Sequence, residues 1–368
     1  MVASAAAAAA AQSPGWQLQY ARHFAIAGEA PRRSPWLRGC AFSADGRRVL
    51  AGGKQGLVRV FDLHAGAGAA PALQLDHGHV ERERSSSIKT VAASADGRWF
   101  FVGGTSGLLT RWDAAGTLRG TASLKDVAED AEAKGYSPDT ARLQHDVNAI
   151  AVWCDCGGTV VLTASDDHSL YLWHCDASAA PPALLDRFGQ DVHSSFVYTC
   201  ALHRAPAGEL AMLSAGADGM LALWRLNAAD HTAVLRHTML RHRHDAEGDP
   251  SIRGCAFHPS GASLASAGYD RTVRLWDAAS GAQLRVLRGH AREVYCVAFS
   301  ADGAALASAG VDGVLRLWAT DSGRALAAIP AAAPPQQPQR LWHVAWSPAG
   351  SRVLATGDDG MLRVWART

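Results

Sequence analysis

The 368-residue sequence lacks several features that would define its class at once. No apolar run reaches the ~20 residues that a membrane-spanning helix needs. Lys and Arg total 35 against 34 Asp and Glu, so no overall charge favours nucleic acid or an acidic membrane. The cysteines number seven, which is few and odd, and this argues against a disulfide framework. We therefore expect an intracellular, cytoplasmic protein in a reducing compartment.

Catalytic motifs are missing as well. The sequence contains no nucleophile elbow, no Walker phosphate loop and no metalloprotease motif, so we expect no enzyme activity and no cofactor. The hydrophobic fraction of 48% is nevertheless sufficient for a large core and too high for a disordered chain. The Ala-rich residues 1–14 lack the basic segment of a secretory signal, and we interpret them as a disordered tail.

What the sequence does contain is a repeat. The phrase "ASAGYDRTVRLWDAASG" at 265–281 returns as "ASAGVDGVLRLWATDSG" at 307–323 and as "ATGDDGMLRVWART" at the end. Each copy reads as a small-residue strand, a turn and an alternating strand that ends in an aromatic residue. Those residues are Phe61, Trp112, Trp173, Trp224, Trp276, Trp318 and Trp365. Six residues before each, the turn position holds Gln55, Ser106, Asp167, Asp218, Asp270, Asp312 and Asp359.

The spacing of the repeats predicts the architecture. Successive aromatic residues lie 42 to 61 residues apart, and a period of this size with Trp-Asp endings is typical of radially arranged blades. Over about residues 15–368 the sequence resembles the WD-repeat β-propeller family, on Gly289-His290, Asp312 and Trp318, although Ala319 replaces the final Asp. The resemblance implies an all-β, seven-bladed β-propeller of four-stranded antiparallel blades.

The repeats also predict how the ring closes. We expect a single propeller domain over 15–368, with blades near 36–66, 86–122, 145–185, 195–240, 250–288, 292–329 and 339–368. The last repeat stops after its third strand, which would leave an unpaired edge. The strand-like segment 15–24 is placed to complete this blade, as is common in the family.

The resemblance implies a buried network of His, Ser or Thr, Asp and Trp within a blade, in which every polar group has a partner. We expect it in three blades and not in the first two, which depart from the pattern and have no matching His. The sets are His145, Thr163, Asp167 and Trp173; His193, Ser214, Asp218 and Trp224; and His290, Ser308, Asp312 and Trp318. Because the set recurs with a Trp, we interpret it as structural and not as a catalytic triad.

The innermost strands place one residue per blade at the top opening of the channel, where family members tend to bind partners. A second set of binding positions in the family lies just before the turn Asp, and Lys54 and Tyr269 come from it. The expected partner-binding residues of this top face are Arg38, Lys54, Lys89, Asn148, Tyr198, Arg253, Tyr269, Tyr295 and Trp342. Aromatic and Arg side chains are common interface anchors, and the cations suit an acidic or phosphorylated segment. The alternative is that these residues only solvate the channel mouth.

Three further segments carry open alternatives. Residues 123–140 read as a short acidic helix, either a docking element or a solvated decoration. Residues 235–245 bring His237, His242 and His244 among three Arg, either as an anion, nucleic-acid or metal site or as a solvated strand and loop. Four soft ligands, Cys154, Cys156, His174 and Cys175, suit zinc, but they lie on strands about 10 Å apart, so no metal site is predicted.

We therefore predict a non-catalytic scaffold subunit of a larger complex, which binds segments of other proteins on the top face and channel mouth. No membrane and no small-molecule substrate is expected. The alternative is an RNA-binding or ribonucleoprotein propeller that uses the same basic and aromatic residues. The repeat endings, such as "WHCD" and "WRLN", lack the Trp-Asp-x-Arg/Lys pattern of cullin-ligase receptors, which disfavours that role.

Overall fold

The predicted seven-bladed propeller is confirmed. In the computed structural model, 28 strands form seven four-stranded sheets, with antiparallel neighbours throughout. The described residues are 15–23, 36–54, 56–65, 69–77, 87–127, 145–155, 158–176, 180–204, 208–227, 232–239, 242, 249–331 and 339–368. The predicted disordered tail, Gln55 and most of the segments 123–140 and 330–339 lie outside them.

The strands follow one another blade by blade. β1 (Trp16–His23) belongs to the last blade. Blade 1 contains β2 (Leu37–Phe42), β3 (Arg48–Gly53), β4 (Leu57–Asp62) and β5 (Leu73–Asp76). Blade 2 contains β6 (Ile88–Ala93), β7 (Trp99–Gly104), β8 (Leu108–Asp113) and β9 (Leu118–Ser123). Blade 3 contains β10 (Val147–Asp155), β11 (Gly158–Ser165), β12 (Leu170–Cys175) and β13 (Ala183–Phe188).

The remaining blades repeat the same order. Blade 4 contains β14 (Val197–Arg204), β15 (Leu210–Gly216), β16 (Leu221–Leu226) and β17 (Ala233–Met239). Blade 5 contains β18 (Ile252–Phe257), β19 (Ser263–Gly268), β20 (Thr272–Asp277) and β21 (Gln283–Arg288). Blade 6 contains β22 (Val294–Phe299), β23 (Ala305–Gly310), β24 (Val314–Ala319) and β25 (Ala325–Pro330). Blade 7 contains β26 (Leu341–Trp346), β27 (Arg352–Gly357) and β28 (Met361–Arg367).

The outer strand of blade 1 differs from its predicted position. The sequence placed this blade near 36–66, but its fourth strand is β5, which begins at Leu73 and has only four residues. A short strand after a long connection carries little periodic signal, so the sequence did not locate it.

Small residues allow the blades to pack closely around the channel. The first strand of each blade contacts the first strand of the next, and β26 contacts β2, so the seven inner strands form a closed ring. A Cβ added at Gly39 would lie 2.9 Å from the Cα of Thr90 on the neighbouring strand. At Gly254 the same atom would lie 2.9 Å from the Cα of Cys296. Glycine is therefore needed at both positions because no side chain fits between adjacent inner strands.

The ring closes as predicted, through pairing between the two ends of the chain. β1 runs antiparallel to β28, from the pair Trp16 and Arg367 to the pair His23 and Met361. Trp16 is 8% exposed, and its ring meets that of Trp346 edge-on at 5.7 Å. This pairing leaves β28 in the interior of its sheet and makes β1 the outer strand of blade 7, so the blade has four strands like the other six.

Two of the predicted buried networks are complete. In blade 4, His193 Nδ1 lies 2.9 Å from Asp218 Oδ2 and Nε2 lies 2.7 Å from Ser214 Oγ, which accepts a hydrogen bond from Trp224 Nε1 at 2.8 Å. Blade 6 repeats these links with His290, Asp312, Ser308 and Trp318 at 2.9, 2.7 and 2.8 Å. Burial by itself would raise the pKa of both aspartates, but the bonds from the histidines hold it below its ordinary value.

The network of blade 3 is built differently from the prediction. His145 Nδ1 lies 3.2 Å from Asp167 Oδ2, and Trp173 Nε1 donates to Thr163 Oγ1 at 3.1 Å. The predicted link from His145 to Thr163 is not present among the described residues. Instead, Asp167 accepts hydrogen bonds from Tyr171 and from Arg187. In this blade Tyr171 and Arg187 therefore supply hydrogen bonds to the buried Asp167 carboxylate in addition to the contact from His145.

Two networks were missed by the sequence analysis. In blade 5, His242 Nδ1 lies 3.0 Å from Asp270 and Nε2 lies 2.6 Å from Ser266, which accepts from Trp276 at 2.8 Å. The hypothesis of a His-rich ligand site or solvated loop at 235–245 is therefore wrong for His242, which is fully buried. His237 instead bonds to the Ala279 carbonyl at the surface, and His244 lies outside the described residues.

Blade 2 also has a histidine, contrary to prediction. His77 is fully buried and contacts Thr110 Oγ1 at 3.0 Å and Ser106 Oγ at 3.1 Å, while Trp112 donates to the same Thr110 hydroxyl at 2.9 Å. The hydroxyl comes from the third strand instead of the second, and Ser106 stands where other blades have Asp. Without a carboxylate on the ring, burial lowers the pKa of His77 to about 4.

The missed network gives the first prediction. His242→Ala removes two buried hydrogen bonds, those of its ring to Ser266 and to Asp270, and leaves a cavity beside Trp276, so the free energy of unfolding should fall by about 2–4 kcal/mol. His237→Ala, on the outer strand β17 opposite Leu223, should cost less than about 1 kcal/mol because its single bond is at the surface. Denaturant unfolding measures both; equal costs would mean that His242 is not part of the blade interior.

Ring closure gives the second prediction. Deleting residues 1–25 removes β1 and exposes β28 as an edge, so we expect aggregation or a sharply lower melting temperature. Deleting residues 1–12 leaves all 28 strands in place and should leave the melting temperature unchanged. Size-exclusion chromatography and thermal unfolding provide the comparison, and identical behaviour of the two truncations would contradict the closure.

Candidate partner-binding site at the channel mouth

The inner strands share an irregularity that directs one side chain per blade to the channel mouth. In every inner strand the register shifts across its second residue, as it does between Leu37 and Gly39. A β-bulge leaves its extra residue outside the ladder and re-aims its side chain. The residues at the seven shifts are Arg38, Lys89, Asn148, Tyr198, Arg253, Tyr295 and Trp342. Each of them belongs to the predicted partner-binding set.

These side chains border one cavity. It has a volume of about 740 Å³ and is lined by all seven bulge residues. Of the other two residues predicted for the top face, Tyr269 contacts the set directly, whereas Lys54 lies over Trp36, which Arg38 also contacts. The Tyr269 hydroxyl accepts a hydrogen bond from Arg253 at 3.1 Å, and Lys54 Nζ lies 5.1 Å from the ring centre of Trp36. The structure thus brings the predicted residues together.

The inner strands also share a small residue after the bulge. Three residues after each bulge, every inner strand carries an alanine, and all seven are partly exposed. They are Ala41, Ala92, Ala151, Ala201, Ala256, Ala298 and Ala345. Five of them, Ala41, Ala92, Ala256, Ala298 and Ala345, line the cavity, so methyl groups form part of its wall.

One side of the mouth combines arginine and aromatic rings. The Arg253 guanidinium carbon lies 3.7 Å from the ring centre of Tyr198, 5.5 Å from that of Tyr269 and 5.8 Å from that of Tyr295. Tyr295 in turn stacks on Trp342, with ring centres 4.8 Å apart and an interplanar angle of 14°. We call Arg38, Tyr198, Arg253, Tyr269, Tyr295 and Trp342 the basic–aromatic sector.

Arg38 completes this sector from blade 1. Its guanidinium carbon lies 4.7 Å from the ring centre of Trp342 and 5.7 Å from that of Trp36. Burial lowers the pKa of Arg38, and the charge of Arg253 lowers it further, so the two cations face the same space and repel each other. Burial and the neighbouring Tyr269 raise the pKa of Tyr295 to about 12, which keeps its hydroxyl protonated.

The opposite side of the mouth differs from the prediction. Lys89 Nζ lies 2.6 Å from Asp146 and 3.3 Å from Asp166, and it donates to Asn148 Oδ1 at 2.7 Å. Lys89 was expected to act with the arginines as a cation for a partner, but two carboxylates already neutralise it. We call Lys89, Asp146, Asn148 and Asp166 the acidic sector, because its net charge is negative.

Two exposed aromatic side chains on this face were missed by the sequence analysis. Trp36 is 41% exposed and Phe196 is 39% exposed, and they are the Trp and Phe side chains most open to solvent among the described residues. Each immediately precedes an inner strand, two positions before a bulge residue. Phe196 also lines the cavity. Aligning the repeats at that earlier position would have found both.

The remaining predicted segments contribute nothing to this site in the part that the structure describes. Residues 124–127 form one helical turn, and the Ser123 hydroxyl accepts a hydrogen bond from the Asp126 amide at 3.1 Å. Cys154 and Cys175 lie on β10 and β12, on either side of Thr159 in β11. Cys156 lies outside the described residues. Cys40, Cys200 and Cys255 are buried free thiols, as expected for core residues.

Comparison with known proteins identifies the repeats. The family "WD domain, G-beta repeat" matches residues 31–62, 139–174, 236–277, 281–319 and 336–366. Among solved structures, the WD40 β-propeller domain of Doa1 superposes with a TM-score of 0.68 over 96% of this chain and 97% of that one, at 18% identity. The chain belongs to the WD-repeat β-propeller family.

Curated relatives share part of their length with this chain. The ribosome biogenesis protein WDR12 homolog of Nematostella vectensis is 27% identical over 253 residues, which are 65% of this chain and 55% of the relative. The nuclear distribution protein PAC1 of Arthroderma otae is 33% identical over 155 residues, which are 38% of this chain and 32% of the relative. The described residues include no helix that is long and apolar enough to cross a membrane.

The neutralised lysine gives the third prediction. Lys89→Met leaves Asp146 and Asp166 without their cation, so the protein should lose about 2 kcal/mol of unfolding free energy at pH 7. Burial already raises the pKa of Asp146, and losing Lys89 raises it further. A raised carboxyl pKa means that the folded state binds more protons than the unfolded state, so the loss should shrink as the pH falls toward 4.

Lys54→Met is the matched control, since Lys54 is an exposed mouth lysine that rests on Trp36. Its removal should change the unfolding free energy by less than about 0.5 kcal/mol at any pH. Denaturant titrations at pH 7 and pH 4.5 separate the two variants. If Lys89→Met behaved like Lys54→Met, the ion pairs of the acidic sector would be negligible.

Proposed function

We propose that this protein is a non-catalytic, cytoplasmic scaffold subunit of a larger complex, and that its channel mouth binds a segment of a partner protein. The observation that carries the proposal is the set of seven bulge residues, which come from seven different blades and converge on one cavity. No single repeat can form such a site. The WD-repeat propeller is generally an interaction domain, and the names of the two relatives denote ribosome biogenesis and nuclear distribution.

The geometry favours a peptide as the bound element. A cavity of about 740 Å³ is large enough for a few side chains and too small for a folded domain. Trp36 and Phe196 offer exposed aromatic surface on either side of it, and aromatic residues with Arg are common hot spots. Because four-stranded sheets hold the backbone of every inner strand, binding would order little of the protein.

The charge distribution disfavours RNA. Single strands are bound along a track of cations that follows the phosphates, with bases stacked on aromatic rings. The mouth has rings, but its two arginines lie in the basic–aromatic sector, whereas Lys89 is paired with two carboxylates in the acidic sector. A chain of phosphates crossing the mouth would meet Asp146 and Asp166, which repel it. This difference between the two sectors supports a protein partner.

The fourth prediction tests the proposal by charge reversal. The double variant Arg38→Glu with Arg253→Glu should bind the partners of the wild-type protein at least about 2 kcal/mol more weakly, or about thirty-fold in Kd, because attractions become repulsions. Partners are identified by affinity purification with mass spectrometry, and affinities are then measured with each purified partner by calorimetry. Melting curves establish that the variant is folded.

The matched control is Arg285→Glu with Arg324→Glu, which reverses two exposed charges away from the mouth. It should bind every partner with wild-type affinity. If the mouth variant also retained full affinity, the proposed site would be wrong, and attention would move to the blade sides and to residues 123–140. Binding of RNA with a steep salt dependence, abolished by the mouth variant, would establish the alternative class of partner.

A further inference from the structure

We propose that the mouth recognises a bipolar segment: a phosphorylated side chain held by Arg38 and Arg253, followed or preceded by a basic side chain that faces Asp146 and Asp166. This inference rests on the proposed function and specifies the chemistry of the bound segment. Its two halves come from the two sectors, and each half has its own observations.

The arginine pair has the features of an anion site. Within the described ranges, neither Arg38 nor Arg253 has a salt bridge to a carboxylate, whereas Lys89 has two. The carboxylates that act on Arg38, each raising its pKa, are Asp358 and Asp146. Both are engaged elsewhere, since Asp358 accepts a hydrogen bond from Trp342 and Asp146 pairs with Lys89. Two cations that repel each other and lack a counter-ion are stabilised by an added anion.

The unused hydrogen-bonding capacity of Arg253 also indicates an anion site. Its Nη2 donates to Tyr269, but Nε is buried and has no hydrogen-bond partner. A buried donor without an acceptor is costly, and guanidinium groups bind phosphate through two parallel N–H bonds. The aromatic rings fix where the guanidiniums lie: Arg253 rests on Tyr198 at 3.7 Å and Arg38 on Trp342 at 4.7 Å. The site is therefore held in place before a ligand arrives.

The acidic sector favours a ligand with a single phosphate over a ligand with a run of carboxylates. A polyacidic segment long enough to cross the mouth would place negative charge beside Asp146 and Asp166. A single dianionic phosphate places its charge at the arginines, and the rest of a neutral or basic segment brings no further negative charge to Asp146 and Asp166. Asp146 and Asp166 together carry more negative charge than Lys89 neutralises, and burial raises the pKa of Asp146 even with Lys89 at 2.6 Å. A second cation there would stabilise its ionised form.

The fifth prediction uses peptides as the probe. Peptides with degenerate flanks are synthesised with serine, phosphoserine or aspartate at the centre, and with either Arg/Lys or Asp/Glu biased into the flanks. The full-length protein should bind phosphoserine peptides at least ten-fold more tightly than serine peptides. It should also prefer basic over acidic flanks by several-fold.

Single variants separate the two halves. Arg38→Gln and Arg253→Gln should each abolish the preference for phosphoserine, whereas Asp146→Asn should abolish only the preference for basic flanks. If Arg253→Gln unfolds the protein, the double variant Arg38→Lys with Arg253→Lys replaces it. This double variant keeps both charges and should retain part of the phosphoserine preference. Arg324→Gln, at an exposed position immediately before β25, should behave as wild type.

The outcomes distinguish this inference from the proposed function. Equal binding of serine and phosphoserine peptides, or indifference to the flanks, would overturn the bipolar segment while leaving a peptide site at the mouth. Peptide binding that no mouth variant changes would overturn both. Preferential binding of a single-stranded RNA oligonucleotide over every peptide, lost in Arg38→Gln, would also overturn both.

Discussion

The pairing of β1 with β28 is the interaction on which the rest of the structure depends. Blade 7 receives three strands from the end of the chain and one from its beginning, and the inner strand of that blade completes the ring around the channel. Backbone hydrogen bonds therefore join residues more than 330 positions apart, as Trp16 and Arg367 are in the strand register. Only a closed ring holds Arg38 of blade 1 beside Trp342 of blade 7 at 4.7 Å.

Within this ring, buried polar networks give the blades their internal order. His193, His242 and His290 each join an aspartate to a serine that also bonds a tryptophan indole. The carboxylates keep pKa values below the ordinary range because those hydrogen bonds outweigh burial. Groups whose folded pKa is lowered in this way stabilise the protein at neutral pH and lose that contribution as the solution becomes strongly acidic. These His, Ser and Asp side chains are buried and hydrogen-bonded to one another, which supports a structural role for the networks.

The sequence was sufficient for the fold because the signal recurs. A period shared by seven repeats reveals strand order, blade number and ring closure even where single repeats are degenerate. The prediction from sequence failed where a residue departs from the position that its counterparts occupy in the aligned repeats. His242 lies 28 residues before its aspartate, against 25 in blade 4 and 22 in blade 6. The hydroxyl that serves His77 lies on the third strand instead of the second. The short strand β5 carried too little pattern to be placed.

The candidate site was predicted in its members but not in its electrostatics. The seven mouth residues share one position in the aligned repeats, so the sequence identifies them. Only the folded structure reveals that a β-bulge directs each of them and that Lys89 is already paired. Salt bridges between blades join residues such as Lys89 and Asp166, which are 77 positions apart, and no local pattern encodes them. The resulting division into two sectors of opposite charge is therefore a property of the assembled ring.

A crystal structure of the protein with a selected phosphoserine peptide tests the central claim, recognition at the channel mouth, most directly. The account predicts phosphate oxygens within about 3.2 Å of guanidinium nitrogens of both Arg38 and Arg253, with a basic side chain of the peptide toward Asp146. A peptide bound along the outer strands or at the opposite end of the channel would contradict it.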